Sequence, residues 1–179
     1  MSIMSLCLNR PIRVHGFTLI EALLYLAVVS GAAVAFVSFG LAISNTRAKT
    51  AAVAEVQANG RFALEFMAQK VRMASDVNIG SSVFGSDPGQ LSLVYIGLAQ
   101  NPTVLDLNQD DGRLRVTEGV SASVFVTSTA VRVTRLVFTD LTGSSLRPSI
   151  RVELTVDYPA DDQSSRASVD FTTAVNLRQ

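Results

Sequence analysis

One carboxylate stands where solvation is poor. Glu21 closes the stretch His15-Gly16-Phe17-Thr18-Leu19-Ile20-Glu21, and the run after it, Ala22 to Thr46, carries no charge until Arg47. That run is longer than the roughly 20 residues a helix needs to cross a bilayer core, which sets Glu21 about one turn inside an apolar helix. A charge at the centre of such a helix costs roughly 2.5–3.5 kcal/mol and less near its end. An ionisable group retained there is a functional candidate, and the chemistry open to it is charge pairing with a cation brought by another chain.

The other candidates are weaker. Asp106, Asn108 and Asp110 alternate as the oxygen ligands opening a calcium loop do. The glycine comes one place late at Gly112, however, and position twelve from Asp106 is Thr117, with Glu118 just beyond. A solvated hairpin turn is the better reading, so no metal site is expected. His15 is the single histidine and Cys7 the single cysteine. No Ser/His/Asp set, Walker loop or cysteine cluster is present, so neither an enzyme nor a cofactor is expected. Basic and acidic groups balance at 15 each, which is no footprint for nucleic acid.

Glu21 is placed by the segments on either side of it. Residues 1–16 read as a leader, held on the cytoplasmic side by Arg10 and Arg13. Residues 17–46 read as a transmembrane helix. Within it Ala27, Gly31 and Ala35 recur every four residues and form a small-residue stripe on which another helix could pack. Beyond Arg47 the helical period continues, with Phe62, Phe66, Met67, Val71 and Ala74 near one face, so one helix is predicted from Phe17 to about Asp76, with a weak point or bend at Asn59-Gly60.

The loop from Gly80 to Gly89 stops that helix, and the chain beyond it reads as strands. These are Gln90 to Leu98; a hairpin of Thr103 to Leu107 and Arg113 to Thr117; Val120 to Val126; an alternation from Val131 that changes phase near Thr134; Arg151 to Tyr158; and Val169 to Leu177. One long helix with only strands after it predicts an α+β head, residues 47–179, in which an antiparallel sheet covers the second half of the helix. An apolar content of 48% is what a membrane helix adds to one domain of ordinary size.

The phrase GFTLIE, at the boundary between a basic leader and an apolar helix, resembles a type IV prepilin processing site. The resemblance implies that a prepilin peptidase cuts after Gly16 and N-methylates Phe17. Glu21 then becomes the fifth mature residue and pairs with the free amine of a neighbouring subunit. The phrase RFALEFMAQKVRMA, residues 61 to 74, resembles the corresponding helix of minor pilins and of the J-type pseudopilin. The closing phrase SVDFTTAVNLRQ resembles their last strand. The chain departs from the family in two places: Ser38 and Gly40 stand where many pilins loosen the helix with a proline, and no cysteine remains after the leader to close the C-terminal disulfide of major pilins. A minor subunit of a pilus, type II secretion or DNA-uptake machine is therefore implied. Its partners would be the peptidase/N-methyltransferase, other pilin or pseudopilin subunits and the inner membrane, with the head in the periplasm or outside the cell. Some pseudopilins bind calcium, which keeps Asp106, Asn108 and Asp110 as a lesser option.

Three plainer readings compete. A secretory signal peptide could be cut after Ala33-Val34-Ala35, but the apolar run continues past that point and carries Glu21 in its opening. A lipoprotein would need a longer apolar stretch before Cys7. The third is a single-pass membrane-anchored β-domain binding module, adhesin-like, with a coincidental motif.

Overall fold

The computed structural model describes residue 16 and residues 18–143, 148–160 and 166–177. The chain divides into two compact units between Ile43 and Ser44. One helix, α1 (Leu19–Met73), begins in the first unit and ends in the second.

In the first unit every described residue from Thr18 to Ile43 is exposed. The backbone stays helical through Ser38 and Gly40, where the sequence leaves open whether the helix loosens. The hydroxyls of Ser30 and Ser38 donate back to Ala27 O (3.0 Å) and Val34 O (2.9 Å). Such bonds satisfy within the helix the polar groups that lipid could not solvate.

The second unit is an α+β head. Its strands are β1 (Asp76–Val77), β2 (Leu91–Val94), β3 (Thr103–Asn108), β4 (Arg113–Glu118), β5 (Val124–Phe125), β6 (Arg132–Asp140), β7 (Ser149–Tyr158) and β8 (Ala167–Asn176). They form two antiparallel sheets, in the orders β1-β2-β3-β4-β5 and β6-β7-β8. The sequence pattern predicts one sheet. Two result because the outward edge of β6 is occupied by the loop before β2: Gly85 N–H donates to Phe138 O (2.8 Å), Gly89 N–H to Leu136 O (2.7 Å), and Asp87 Oδ1 accepts from Leu136 N–H (3.0 Å).

Both sheets share one core with the second half of α1. Ala52, Val56, Gly60, Ala63, Met67 and Val71 along the helix, and Ala74 just past its end, are buried at steps of three and four, the period of a single helical face. They join Leu91, Leu93, Leu105 and Leu114 from the first sheet and Leu136, Phe138, Ile150, Val152, Leu154 and Val156 from the second. The stripe runs through Ala63 and not Phe62, which is 58% exposed and stands 6.3 Å from Phe66 in a tilted pair. Nor do Asn59 and Gly60 interrupt the helix. Gly60 is a close approach, and Asn59 Oδ1 accepts the Ser128 N–H at 3.0 Å while its Nδ2 donates to Glu55 Oε1 at 2.9 Å.

The helix ends earlier than its pattern predicts, because Ser75 N–H is captured by Val94 O at 2.8 Å and the chain enters β1. Tyr95 OH donates to Lys70 O at 2.6 Å, occupying one of the last helical carbonyls. The strand predicted from Gln90 stops at Val94, leaving Ile96 94% exposed. The strand predicted from Val120 is only Val124–Phe125. Gly119 N–H bonds Pro102 O and Ser121 N–H bonds Glu118 O, which turns Val120 out to solvent. The phase change near Thr134 is a register shift between Val133 and Arg135, as the alternation predicts.

Candidate functional site

The amino end of α1 is the first candidate. Gly16 is exposed and non-helical, and nothing lies within 4 Å of where its Cβ would stand. Phe17, expected to be exposed by cleavage and then methylated, lies outside the described residues. Thr18 is the N-cap: its Oγ1 accepts the Glu21 N–H at 3.3 Å, and its carbonyl accepts the Ala22 N–H at 3.2 Å. Thr18-Leu19-Ile20-Glu21 thus has the T-x-x-E spacing of a capping box. The spacing is itself a sequence signal for Thr18, and a reading centred on the charge of Glu21 passes over it.

Glu21 sits in the first turn, where the partial positive charge of the helix terminus favours a carboxylate. Its side chain is exposed, and the first cationic residue after it along the helix is Arg47. Ala27, Gly31 and Ala35 are exposed on successive turns, and a Cβ on Gly31 would meet no atom within 4 Å. Leu23, Leu24, Leu26, Val28, Val29, Phe36, Val37 and Phe39 are all more than half exposed around them. The helix is long and apolar enough to span a membrane. What this end offers chemically is a carboxylate at a capped helix start, with an apolar surface and a small-residue stripe beyond it.

The second candidate, at the β3–β4 hairpin, resolves differently. The predicted turn is present, and Asp106 pairs across it with Arg115. Arg115 Nε and Nη2 each reach one oxygen of the Asp106 carboxylate at 2.7 Å, a bidentate contact. Asp106, with support from Asp110 and Asp111, pushes the Arg115 pKa up. Asn108 Oδ1 accepts the Asp110 N–H at 3.4 Å as an ordinary turn contact. Arg113 Nε donates to Asp111 Oδ2 at 2.6 Å, which holds the Asp111 carboxyl below its usual range, and the same guanidinium lies 3.6 Å from the centre of the Phe125 ring. Asp106, the residue that would open a calcium loop, is thus spent on an arginine. Among the described residues no three His, Cys, Asp or Glu side chains are placed to share a metal ion.

Gly112 closes the turn at φ +66, and a Cβ there would overlap Arg132 Cγ, so both backbone and space require glycine. Compared with protein-family models, with curated proteins and with solved structures, the chain matches none.

Proposed function

We propose that the chain is a minor pilin or pseudopilin: a prepilin cut after Gly16, methylated at Phe17, anchored in the inner membrane by the first part of α1, and incorporated through that helix into a filament of related subunits. The observation that carries the reading is Glu21 at the start of an uncharged, membrane-length helix, immediately after the phrase Gly16-Phe17-Thr18-Leu19-Ile20. The α+β head, with a long helix feeding two antiparallel sheets, agrees with it.

In this reading the chain's work is assembly. A carboxylate in a low-dielectric setting and an amine in the same setting each carry a large desolvation cost when alone, and they offset it only when brought together. Glu21 and the methylated amine of an adjacent subunit's Phe17 would form that pair, so joining the filament is favoured over remaining single in the membrane. The stripe of Ala27, Gly31 and Ala35 would let the helices approach closely. The chain is the substrate of a peptidase and methyltransferase and catalyses nothing itself.

Intact-mass analysis of the chain from cells with an active prepilin peptidase tests the reading. Loss of residues 1–16 and gain of one methyl group at Phe17 are expected. A chain beginning at Phe36, or one retaining its leader, would replace it with a secreted protein or a plain single-pass anchor.

A further inference from the structure

The edges of the two sheets are treated unequally, and one of them is left ready for another strand. β1 and β5, the edges of the first sheet, are two residues long. On β6 the outward N–H and C=O of Leu136 and the C=O of Phe138 are bonded by Asp87, Gly89 and Gly85. β8 is ten residues long, and Leu177 N–H, just past its end, donates to Pro148 O. Because residues of an antiparallel strand turn their backbone groups to alternate sides, that bond sets the phase. Residues 167, 169, 171, 173 and 175 face β7, and Ser168, Asp170, Thr172, Ala174 and Asn176 point their N–H and C=O outward. Among the described residues nothing bonds those outward groups.

Long exposed edges are normally protected by lysine, proline, a bulge or a cover. β8 has no Lys, Arg or Pro, its pairing with β7 runs without a register shift, and Val, Phe and Thr dominate it. The core also stops short there. On β7, Val152, Leu154 and Val156 are at most 1% exposed, whereas Thr173, Phe171 and Val169, their partners on β8, are only half-buried. A further strand would finish that layer.

We propose that the open edge of β8 is a docking site for an extended segment of another polypeptide. That segment alternates apolar residues, set beside Val169 and Phe171, with polar ones, and carries a basic residue beside Asp170. The charge preference comes from Asp170 on the edge strand itself. Asp170 is the only charged residue on β8, and its Oδ1 accepts from Thr155 Oγ1 at 2.7 Å. On the same face of β7, Glu153 is paired with Arg135 (3.3 Å), Asp157 accepts from Ser168 Oγ, and Arg151 lies opposite Ala174, so the preference rests on the Asp170 carboxylate alone. Backbone pairing supplies affinity and the alternate side chains supply selectivity. Docking at this edge is independent of how the chain is anchored or processed.

The test uses the full chain in detergent micelles and the fluorescein-labelled peptide Thr-Val-Thr-Val-Lys-Val-Thr-Val-Thr, which reads the same in both directions. Saturable binding by anisotropy is expected, with little for a peptide of the same composition whose valines are contiguous. Thr172→Pro removes an outward N–H and leaves the ladder to β7 intact. It should weaken binding about tenfold without changing far-UV circular dichroism. Asp170→Lys, a surface change, should weaken the lysine peptide and strengthen its glutamate counterpart. Equal binding of the contiguous-valine peptide, or unchanged binding by both variants, would overturn the proposal. So would self-association of the chain abolished by Thr172→Pro, which would assign the edge to a second copy.

Discussion

Gly60 and Phe171 meet so closely that a methyl group fits between them only if the ring moves: a Cβ on Gly60 would overlap Cε2 and Cζ of the ring and lie 2.8 Å from Cδ2. This contact packs the Phe171 ring of β8 directly on the helix backbone. It also explains a glycine in a helix interior, where it costs about 1 kcal/mol relative to alanine. Gly60→Ala should therefore destabilise the head by about 1 kcal/mol net, overpacking outweighing the gain in helix propensity. Phe171→Val in the same chain should recover most of the loss. Urea unfolding read by circular dichroism, which suits a chain without tryptophan, measures both. A Gly60→Ala chain more stable than the parent would show that the ring yields.

Thr18 and Glu21 separate a structural role from an assembly role at the same helix end. Thr18→Val removes the cap and should fray the first turn, at a cost of about 1 kcal/mol to local helix stability. Glu21→Gln keeps the backbone contact to Thr18 Oγ1 and loses only the charge. If Glu21 pairs with an amine, Glu21→Gln and Glu21→Ala should both be processed and inserted normally but enter filaments poorly. Crosslinking and filament pull-down scored beside a leader-processing assay decide it, and wild-type incorporation of both variants would remove the pairing role.

Asp106 is committed to Arg115, so calcium should find no vacancy at the hairpin. Millimolar calcium or a chelator is expected to leave the melting temperature of the head unchanged, whereas a bound ligand would raise it by mass action. Asp106→Asn should lower stability by about 0.5–1 kcal/mol, the range for a partly exposed bidentate pair. A calcium-dependent rise in melting temperature in the parent chain would contradict the assignment.

Tyr95 donates its hydroxyl to Lys70 O, and its pKa is pushed up to about 12 by burial and by the nearby Glu118 carboxylate, which itself pairs with Lys70. Because the folded-state value lies above the unfolded value of 10.0, the contribution of this group is fully present below pH 10. It is lost as pH rises from there through about 12. An absorbance titration should show a phenol step near pH 12 that belongs to Tyr95. Tyr95→Phe should abolish that step, and a Tyr95 phenol ionising at the unfolded value of 10.0 would mean that it is open to water.

Much of this protein is local in its physics, and that part is legible from the residues. The uncharged run from Ala22 to Thr46, the T-x-x-E start at Thr18, the β3–β4 turn and the alternation of Val152, Leu154 and Val156 each depend on neighbours a few positions away. Period, cap spacing and turn chemistry therefore suffice to place them. The remainder is settled by residues distant in sequence. α1 ends at Met73 because Val94 takes the Ser75 N–H, and the buried stripe runs through Ala63 instead of Phe62. Val120 is left without a strand partner, and the carboxylate of Asp106 goes to Arg115. The strands split into two sheets because Gly85 and Gly89 take up the β6 edge. Periodicity shows which face of an element is apolar, but not which distant hydrogen-bonding group or side chain arrives to meet it.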